Sequence, residues 1–206
     1  MPVHSDATTL RLMVAVNVSK LTIHPLTPDR WDDFEALFGK NGACAGCWCT
    51  WWQLGQSEWL AKKGDAAKRM MRAIVKKGPP PGLLAFAEDE AVGWCAVAER
   101  GDYPRLARSK ILAPVDDAKV WSVTCFFVRR DWRRRGVTVQ LLKGAARWVA
   151  ARGGRVVEGY PTDTDKDQPG AFVHNGLLPA FEKAGFREVA RRSKTRPIVR
   201  RKAAAR

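Results

Sequence analysis

Short apolar segments and amphipathic segments follow one another along this chain, and their spacing predicts strands and helices in mixed order. Residues 21–26 form a short apolar run that is typical of a strand. Thr27 and Pro28 come next, and threonine before proline is a common start of a helix. The apolar positions that follow recur at helical spacing and predict a first helix; they are Trp31, Phe34, Leu37 and Phe38.

The middle of the chain predicts a second helix, a hairpin and a central strand. Apolar positions in the second half of residues 56–78 keep helical spacing, and the proline-rich segment 79–82 ends the pattern. Residues 83–100 contain two apolar runs around a polar turn, which indicates an antiparallel hairpin, and residues 102–117 indicate a loop with one helical turn. The segment KVWSVTCFFV, residues 119–128, is apolar on both faces and therefore predicts a strand in the middle of a sheet.

The last third of the chain predicts two more helices and three strands. Apolar residues between 137 and 149 repeat at helical spacing, and Gly153 and Gly154 are expected to stop that helix. The segment RVVEGYP after it predicts a strand, and LLPAFEKAGF predicts a short helix with its proline near the start. The segments REVARR and TRPIVRR predict the final two strands.

The complete order is β, α, α, β, β, β, α, β, α, β, β, which predicts an α/β fold. We expect a mixed sheet of about six or seven strands, flanked by helices. The chain has 206 residues, and at roughly 100–200 residues per domain this length suggests a single domain. We assign that domain to residues 21–202, with a flexible leader at 1–20 and a basic tail at 203–206.

The charge of the chain favours acidic partners. Lysine and arginine number 36 against 21 aspartates and glutamates, for a formal net charge of +15. Such an excess attracts nucleic acid, an anionic surface, an acidic protein or a phosphorylated ligand, without selecting among them. No segment approaches the roughly 20 consecutive apolar residues that span a bilayer, so no membrane partner is expected.

The cysteines indicate a reducing compartment and do not predict a metal. There are five, an odd number without a recognisable signal peptide, which favours reduced thiols in the cytoplasm. Cys44, Cys47 and Cys49 stand close enough together to invite a zinc interpretation, but a fourth ligand is not local. We expect packed apolar thiols in an aromatic loop, and no metal.

The most informative charges are five arginines between residues 129 and 135, directly before Gly136. They lie between the predicted central strand and a predicted helix. A helix start presents unpaired N–H groups and a positive dipole end, glycine allows close approach, and arginine binds phosphate through paired hydrogen bonds. The arrangement predicts a site for a pyrophosphate, and the alternative is a solvated basic loop.

Residues 128–138, VRRDWRRRGVT, resemble the acetyl-coenzyme A motif of the GCN5-related N-acetyltransferases, the GNAT family. Arg133 and Gly136 match that motif, whereas Thr138 stands where the family usually has glycine or alanine. The segment AFEKAGF, residues 180–186, is similar to the closing helix of the family. The segments CAGCWCTWW and VWSVTCFFV resemble an actinobacterial branch of it.

The resemblance implies the GNAT acyl-CoA N-acyltransferase fold, with acetyl-coenzyme A as co-substrate. It implies that an acetyl group moves to a primary amine by direct attack in a ternary complex. The end of the central strand should pair with the pantetheine arm through Phe126, Phe127 and Val128. The turn and helix start should hold the pyrophosphate through Arg133, Arg134, Arg135, Gly136, Val137 and Thr138. Arg129 and Arg130 are left for the 3′-phosphate or for solvent.

The resemblance also suggests where proton transfer occurs. An amine that titrates near ~10.4 must lose a proton before it attacks, and Glu158, on the strand beside the cofactor strand, is the expected base. The family often has a tyrosine in the closing helix to protonate the leaving thiolate, and Phe181 occupies that position here. Tyr160 is the expected substitute.

The acceptor pocket is expected to lie near the tryptophan-rich loop, with Trp48, Trp51, Trp52 and His174 as candidate binding residues. The acceptor is then a small amine or a lysine of an acidic protein. Homodimer formation is left open. The alternative function is non-enzymatic binding of nucleic acid through the basic residues 187–206.

Overall fold

The computed structural model describes residues 18–165 and 173–204. Within them, seven strands form one sheet: β1 (Thr22–Pro25), β2 (Gly82–Ala87), β3 (Glu90–Glu99), β4 (Trp121–Val128), β5 (Val156–Gly159), β6 (Arg187–Arg191) and β7 (Pro197–Lys202). Their lateral order is β1-β2-β3-β4-β5-β7-β6. The β4–β5 pair is parallel and the other neighbours are antiparallel. The mixed sheet and the central position of β4 confirm the sequence-based fold class.

Six α-helices accompany the sheet in the described residues: α1 (Trp31–Phe38), α2 (Gln56–Lys62), α3 (Asp65–Lys77), α4 (Pro104–Ala107), α5 (Val137–Ala151) and α6 (Leu178–Lys183). The pattern predicted α1, α3, α5 and α6, and it predicted α4 as one turn. It missed α2, which buries none of its side chains and so carries no apolar stripe for a periodicity to reveal.

The predicted hairpin is β2 and β3, which pair antiparallel with Gly82 opposite Ala96. Helix α5 crosses this hairpin closely because β3 carries Gly93 at the crossing point. A Cβ added at Gly93 would lie 2.7 Å from Cγ1 of Val137, the first residue of α5. The glycine therefore fixes how near the start of α5 can approach the sheet.

The two faces of the sheet bury different clusters. The α5 and α6 face contains Val97 and Val123 of the sheet together with Leu141 of α5. The α1 and α3 face contains Trp94 of β3 packed edge-on against Phe34, with ring centroids 4.9 Å apart. These layers fix the position of the first turn of α5 relative to the C-terminal end of β4. These two elements border the candidate site.

A third buried cluster lies next to the core under α1 and α3, and we call it the aromatic cluster. It consists of Trp52, Tyr103, Leu106, Leu112, Tyr160 and Ile198. Cys125 of β4 packs against both this cluster and the core under α1 and α3. The aromatic cluster therefore borders β4 near its C-terminal half.

The predicted leader and the predicted tail both extend past the described residues. Residues 1–17 of the predicted leader lie outside them, and Val18–Lys20 form a single 3-10 turn. Residues 205 and 206 of the predicted tail also lie outside. The domain limits therefore stay predictions. Among the described residues, no helix combines the length and the apolar character needed to cross a bilayer.

Candidate functional site

Strands β4 and β5 separate after a short parallel contact. They pair only over Trp121–Val123 and Val157–Gly159, so the C-terminal half of β4 has no β5 partner. The segment after residue 172 lies against this half instead. The Phe126 N–H donates to the His174 carbonyl at 2.6 Å, and Asn175 Nδ2 donates to the Thr124 carbonyl at 2.9 Å. We call this opening the β4–β5 split.

The turn that follows β4 is anchored by one buried side chain and otherwise exposed. Trp132 is buried, while Arg133, Arg134 and Arg135 are exposed. Gly136 ends the turn in the left-handed region, with φ +87°, and is the N-cap of α5. A glycine is favoured there because any side chain would be strained at that φ.

The start of α5 has the properties of an anion site. Its first turn contains no acidic residue, and the N–H groups of a first turn have no partner within the helix. A Cβ built on Gly136 would meet only Cγ1 of Val18, 3.9 Å away. The described residues thus leave room for a ligand directly at the helix start.

The arginines of the turn fall into two groups. Arg129 donates two hydrogen bonds to Asp131, at 2.8 and 2.9 Å, and forms an ion pair with Glu90. These contacts, Asp131 first, hold the pKa of the Arg129 guanidinium above its ordinary value. Arg135 lies over the Trp132 ring at 5.6 Å. The charge of Arg129 is therefore largely neutralised, whereas the exposed residues before Gly136 keep a net positive charge at the turn.

The backbone that was expected to pair with a pantetheine arm has partners within the chain. Phe126 donates its N–H to His174, as described above, and the Val128 carbonyl accepts a hydrogen bond from Arg133 Nε at 3.1 Å. The Phe127 ring packs on Phe38 of α1, with centroids 5.3 Å apart. The Phe126 N–H and the Val128 carbonyl thus lie beside the split with hydrogen bonds already made.

Glu158 lies in a buried network of charges. Its side chain is 1% exposed, and it forms ion pairs with Arg100 through Oε1 at 3.1 Å and with Arg200 through Oε2 at 2.7 Å. Tyr160 donates its hydroxyl proton to Glu158 Oε1 at 2.6 Å. Both carboxylate oxygens are therefore engaged, which the sequence alone did not indicate.

The hydroxyl group of Tyr160 connects Glu158 to β4. It accepts a hydrogen bond from Arg100 Nη1 at 2.7 Å and lies 2.8 Å from Ser122 Oγ. Burial, and then the nearby Glu158 charge, raise the pKa of Tyr160 above its ordinary value. A tyrosine in this state holds its proton tightly.

The candidate acceptor residues separate into two places. Trp52 belongs to the aromatic cluster and its ring lies 6.3 Å from His174, and Trp51 packs against the same cluster. Trp48 is instead buried on the α1 side, stacked on Trp31 and Phe38. Trp51, Trp52 and His174 thus meet near the β4–β5 split, while Trp48 serves the core.

Several buried polar atoms near the split have no hydrogen-bond partner among the described residues. They include Trp52 Nε1 and Asn175 Oδ1. Such atoms are costly in a folded protein unless a ligand or water satisfies them. Sequence reasoning did not select Thr124 or Arg100, because neither stands in a motif and Arg100 meets its partner Glu158 across 58 positions.

The cysteines are mostly interior. Cys49 and Cys95 are buried, and Trp94 Nε1 donates a hydrogen bond to Cys49 Sγ at 3.1 Å. Burial raises the pKa of the Cys95 thiol well above its ordinary value, so this thiol stays protonated. Cys44 is exposed. Within residues 18–165 and 173–204, no group of three or more histidine, cysteine or acidic side chains is arranged to hold a metal ion.

The two tyrosines of the chain allow a direct test of this burial. Tyr103 is 2% exposed and Tyr160 is 0% exposed, and burial raises the pKa of both phenols. We expect no tyrosinate absorbance near the ordinary value of about 10 in the folded protein, and one cooperative rise when alkali unfolds it. The folded state holds the phenolic protons more tightly, so stability should fall as pH rises above about 10.

The measurement is an ultraviolet pH titration, with the protein in concentrated urea as the control. Both phenols should titrate near their ordinary value in urea. A reversible step in the native protein near that value, at unchanged circular dichroism, would mean that one tyrosine is accessible.

Comparison with known proteins agrees with the fold. The model described as "Acetyltransferase (GNAT) family" matches residues 48–186. No curated protein sequence matches the chain. The crystal structure of the PaiA N-acetyltransferase from Thermoplasma acidophilum, in complex with coenzyme A, is similar with a TM-score of 0.50 and 11% identity, over 88% of this chain and 98% of that one.

Two further structures have the same fold at similarly low identity. A protein assigned to the GNAT family from Desulfovibrio desulfuricans has a TM-score of 0.50 and 15% identity, over 89% of this chain and 99% of that one. A GNAT family acetyltransferase from Listeria monocytogenes has a TM-score of 0.50 and 9% identity, over 88% and 94%. Since the family match covers more than half of the chain, this protein belongs to the GNAT acetyltransferase family.

Proposed function

We propose that the protein transfers an acetyl group from acetyl-coenzyme A to a primary amine, which attacks the thioester directly in a ternary complex. The observation that carries the proposal is the open glycine turn between β4 and α5, at the edge of the β4–β5 split. Its helix start, left-handed Gly136 and exposed arginines together suit a pyrophosphate. A neighbour with this fold was crystallised with coenzyme A.

The donor contacts we propose follow from this arrangement. The N–H groups of residues 134–138 and the side chains of Arg133 to Arg135 hold the pyrophosphate. The pantetheine arm pairs with the backbone of Phe126, Phe127 and Val128 along β4. Because Phe126 now donates to His174, the arm takes over that hydrogen bond when the donor binds.

The acceptor amine must lose a proton before attack, since leaving it neutral at pH 7 costs about 4–5 kcal/mol for a lysine-like amine. We propose Glu158 as the final proton acceptor, reached indirectly, because its arginine partners engage both oxygens. Ser122 and Tyr160 form the path: the proton moves to Ser122, and the hydrogen bonds pass one along through Tyr160 to Glu158. The reverse path returns a proton to the thiolate through Tyr160.

The acceptor binds at the aromatic cluster in this proposal, against Trp51, Trp52 and His174. We propose an acceptor that is a small amine or the lysine of a protein. The packing of Trp48 under α1 favours a supporting role for that residue.

Two of the C-terminal arginines, Arg191 and Arg200, give little support to nucleic-acid binding. Arg191 is paired with Glu188 and Asp163, and Arg200 with Glu158 and Asp116. Side chains spent on partners within the chain are poor sites for phosphate of a nucleic acid. That function also leaves the glycine turn without a purpose.

Calorimetric titration with acetyl-coenzyme A, followed by a thiol-release assay with a panel of amines, tests the proposal. We expect one donor molecule to bind per chain, with an affinity that falls as salt rises because phosphates pair with arginines. Coenzyme A should then be released only when an amine is present. Tighter binding of a short DNA duplex than of acetyl-coenzyme A, with no amine-dependent release, would contradict the assignment.

A further inference from the structure

Two arginines beside the aromatic cluster have no carboxylate partner among the described residues. Arg105 donates Nε to the Leu54 carbonyl at 3.1 Å, and its Nη2 is buried without a hydrogen-bond partner. Arg196 has a single hydrogen bond, from Nη1 to the Tyr160 carbonyl at 3.3 Å. Their neighbours Arg100 and Arg200 both reach Glu158. Arg105 and Arg196 thus lie beside the aromatic cluster without a carboxylate partner among the described residues.

A partly buried guanidinium without an anion is unfavourable, because desolvation of the charge is not repaid by an ion pair. Burial accordingly lowers the pKa of both Arg105 and Arg196 from the ordinary value. Guanidinium groups bind carboxylate and phosphate through two parallel hydrogen bonds. The guanidinium groups of Arg105 and Arg196 can therefore bind an anion from outside the described residues.

Both arginines are connected to the acceptor side of the β4–β5 split. The Arg105 guanidinium lies over the Trp51 ring, 3.6 Å from its centroid. The backbone N–H of Arg105 donates a hydrogen bond to the Trp52 carbonyl at 3.4 Å. The Trp52 ring lies 6.3 Å from the His174 ring, and the His174 carbonyl accepts the hydrogen bond from Phe126 of β4. Arg196 is bonded to the main chain of Tyr160, at the end of β5. Since Trp52 and Tyr160 belong to the aromatic cluster and Trp51 packs against it, both arginines border the region where the amine site is proposed.

The unpartnered atoms of this region divide by chemistry. Trp52 Nε1 and Arg105 Nη2 are donors, and they require an acceptor group. Asn175 Oδ1 is an acceptor and requires an N–H, and its amide is fixed by the bond from Nδ2 to Thr124 on β4. A ligand that satisfies both sets carries an anionic end and an amine end.

We propose that the acceptor is an amine that carries an anionic group, a carboxylate or a phosphate, held by Arg105 and Arg196 while the amine faces Asn175. This inference rests on the proposed acetyltransferase function and specifies its substrate class. It separates this protein from acetyltransferases that would need acidic pockets for polycationic amines.

Matched pairs of amines test the substrate class in a thiol-release assay with saturating acetyl-coenzyme A. L-phenylalanine is compared with L-phenylalaninamide and phenethylamine, and phosphoethanolamine with ethanolamine. We expect kcat/KM to favour the anionic member by about 10- to 100-fold, the size of a charge-assisted contact. The pair with the larger ratio shows whether the preferred anionic group is a carboxylate or a phosphate. Equal or better use of the neutral members would overturn the inference.

Substitution of Arg105 and Arg196 tests whether these residues cause the preference for anionic amines. Arg105→Met and Arg196→Met should raise KM for the preferred anionic amine by about 10- to 100-fold and should raise KM for its neutral counterpart much less. Arg152→Met is the matched control, because Arg152 also lies over a tryptophan, Trp148 at 4.9 Å, but at the far end of α5. Arg105→Lys should recover part of the loss. Unchanged KM in both methionine variants, with melting temperatures retained, would exclude the two arginines.

A binding measurement separates this inference from the proposed function. The fluorescence of the tryptophans near the site reports binding of each amine without any acetyl donor. Preferential binding of the anionic members, abolished in Arg196→Met, supports the anion site even if no acetyl transfer occurs, in which case only the proposed reaction fails. Equal binding of anionic and neutral members, in a protein that acetylates amines, overturns the anion site alone.

Discussion

Gly136→Glu is expected to abolish the binding of acetyl-coenzyme A while the protein stays folded. The new carboxylate would stand at the start of α5, where the turn leaves open space for a ligand. Repulsion between two unit charges about 4 Å apart near a protein surface is roughly 4 kcal/mol, which corresponds to a loss of about 10³-fold in affinity. Calorimetry with acetyl-coenzyme A measures this loss.

The matched control is Gly153→Glu at the opposite end of α5. Gly153 also has a positive φ, +77°, and nothing lies within 4 Å of a Cβ built on it. Both substitutions therefore impose the same backbone strain, of roughly 1–2 kcal/mol, and the same change in net charge. Gly153→Glu should bind the donor normally. If Gly136→Glu melts like this control and still binds acetyl-coenzyme A, the turn is not the donor site.

Glu158→Gln is expected to destabilise the folded protein strongly. The change leaves Arg100 and Arg200 without their shared buried anion. Removing one partner of a buried ion pair costs about 3–5 kcal/mol. For a chain of this length that lowers the melting temperature by roughly 6–20 °C. Differential scanning calorimetry measures the shift.

Asp116→Asn is the control for this loss of stability. Asp116 also pairs with Arg200, at 2.6 Å, but its side chain is 52% exposed. An exposed pair is worth about 0–1 kcal/mol, so the melting temperature should hardly change. Equal losses in Glu158→Gln and Asp116→Asn would mean that burial of the network contributes nothing.

Glu158→Gln also tests the proton path when its kinetics are compared with those of Tyr160→Phe. Both changes interrupt the path from Ser122, so both should lower kcat/KM by about 10²- to 10⁴-fold near neutral pH. The loss should shrink as pH rises toward about 10, because more of the amine is then already neutral. Donor affinity should be unchanged, since the turn before α5 is untouched.

Tyr160→Phe separates the chemical role from the structural one, because it leaves both ion pairs of Glu158 in place. Near-normal turnover in Tyr160→Phe, together with a loss of stability in Glu158→Gln, would assign Glu158 a purely structural role. The amine would then arrive neutral from bulk water.

Local chemistry made much of this protein predictable from its sequence. The turn before α5 was predicted because its determinants are adjacent residues: an apolar strand, a run of arginines and Gly136, whose φ of +87° favours glycine. The β2–β3 hairpin was predicted for the same reason. The family and the mixed sheet are confirmed. Helix α2 was not predicted, since it buries no side chain.

The tertiary structure decided the state of the site. Glu158 looked like a carboxylate available to take a proton, but it is buried between Arg100 and Arg200, 58 and 42 positions away. Likewise, Trp48 and Trp52 stand four positions apart, yet they belong to different clusters. Charge pairing and burial depend on which distant strands meet, and desolvation amplifies both. Periodicity along the chain reports only which face of an element is apolar. It therefore indicated the elements on either side of the glycine turn but not the electrostatics between distant strands.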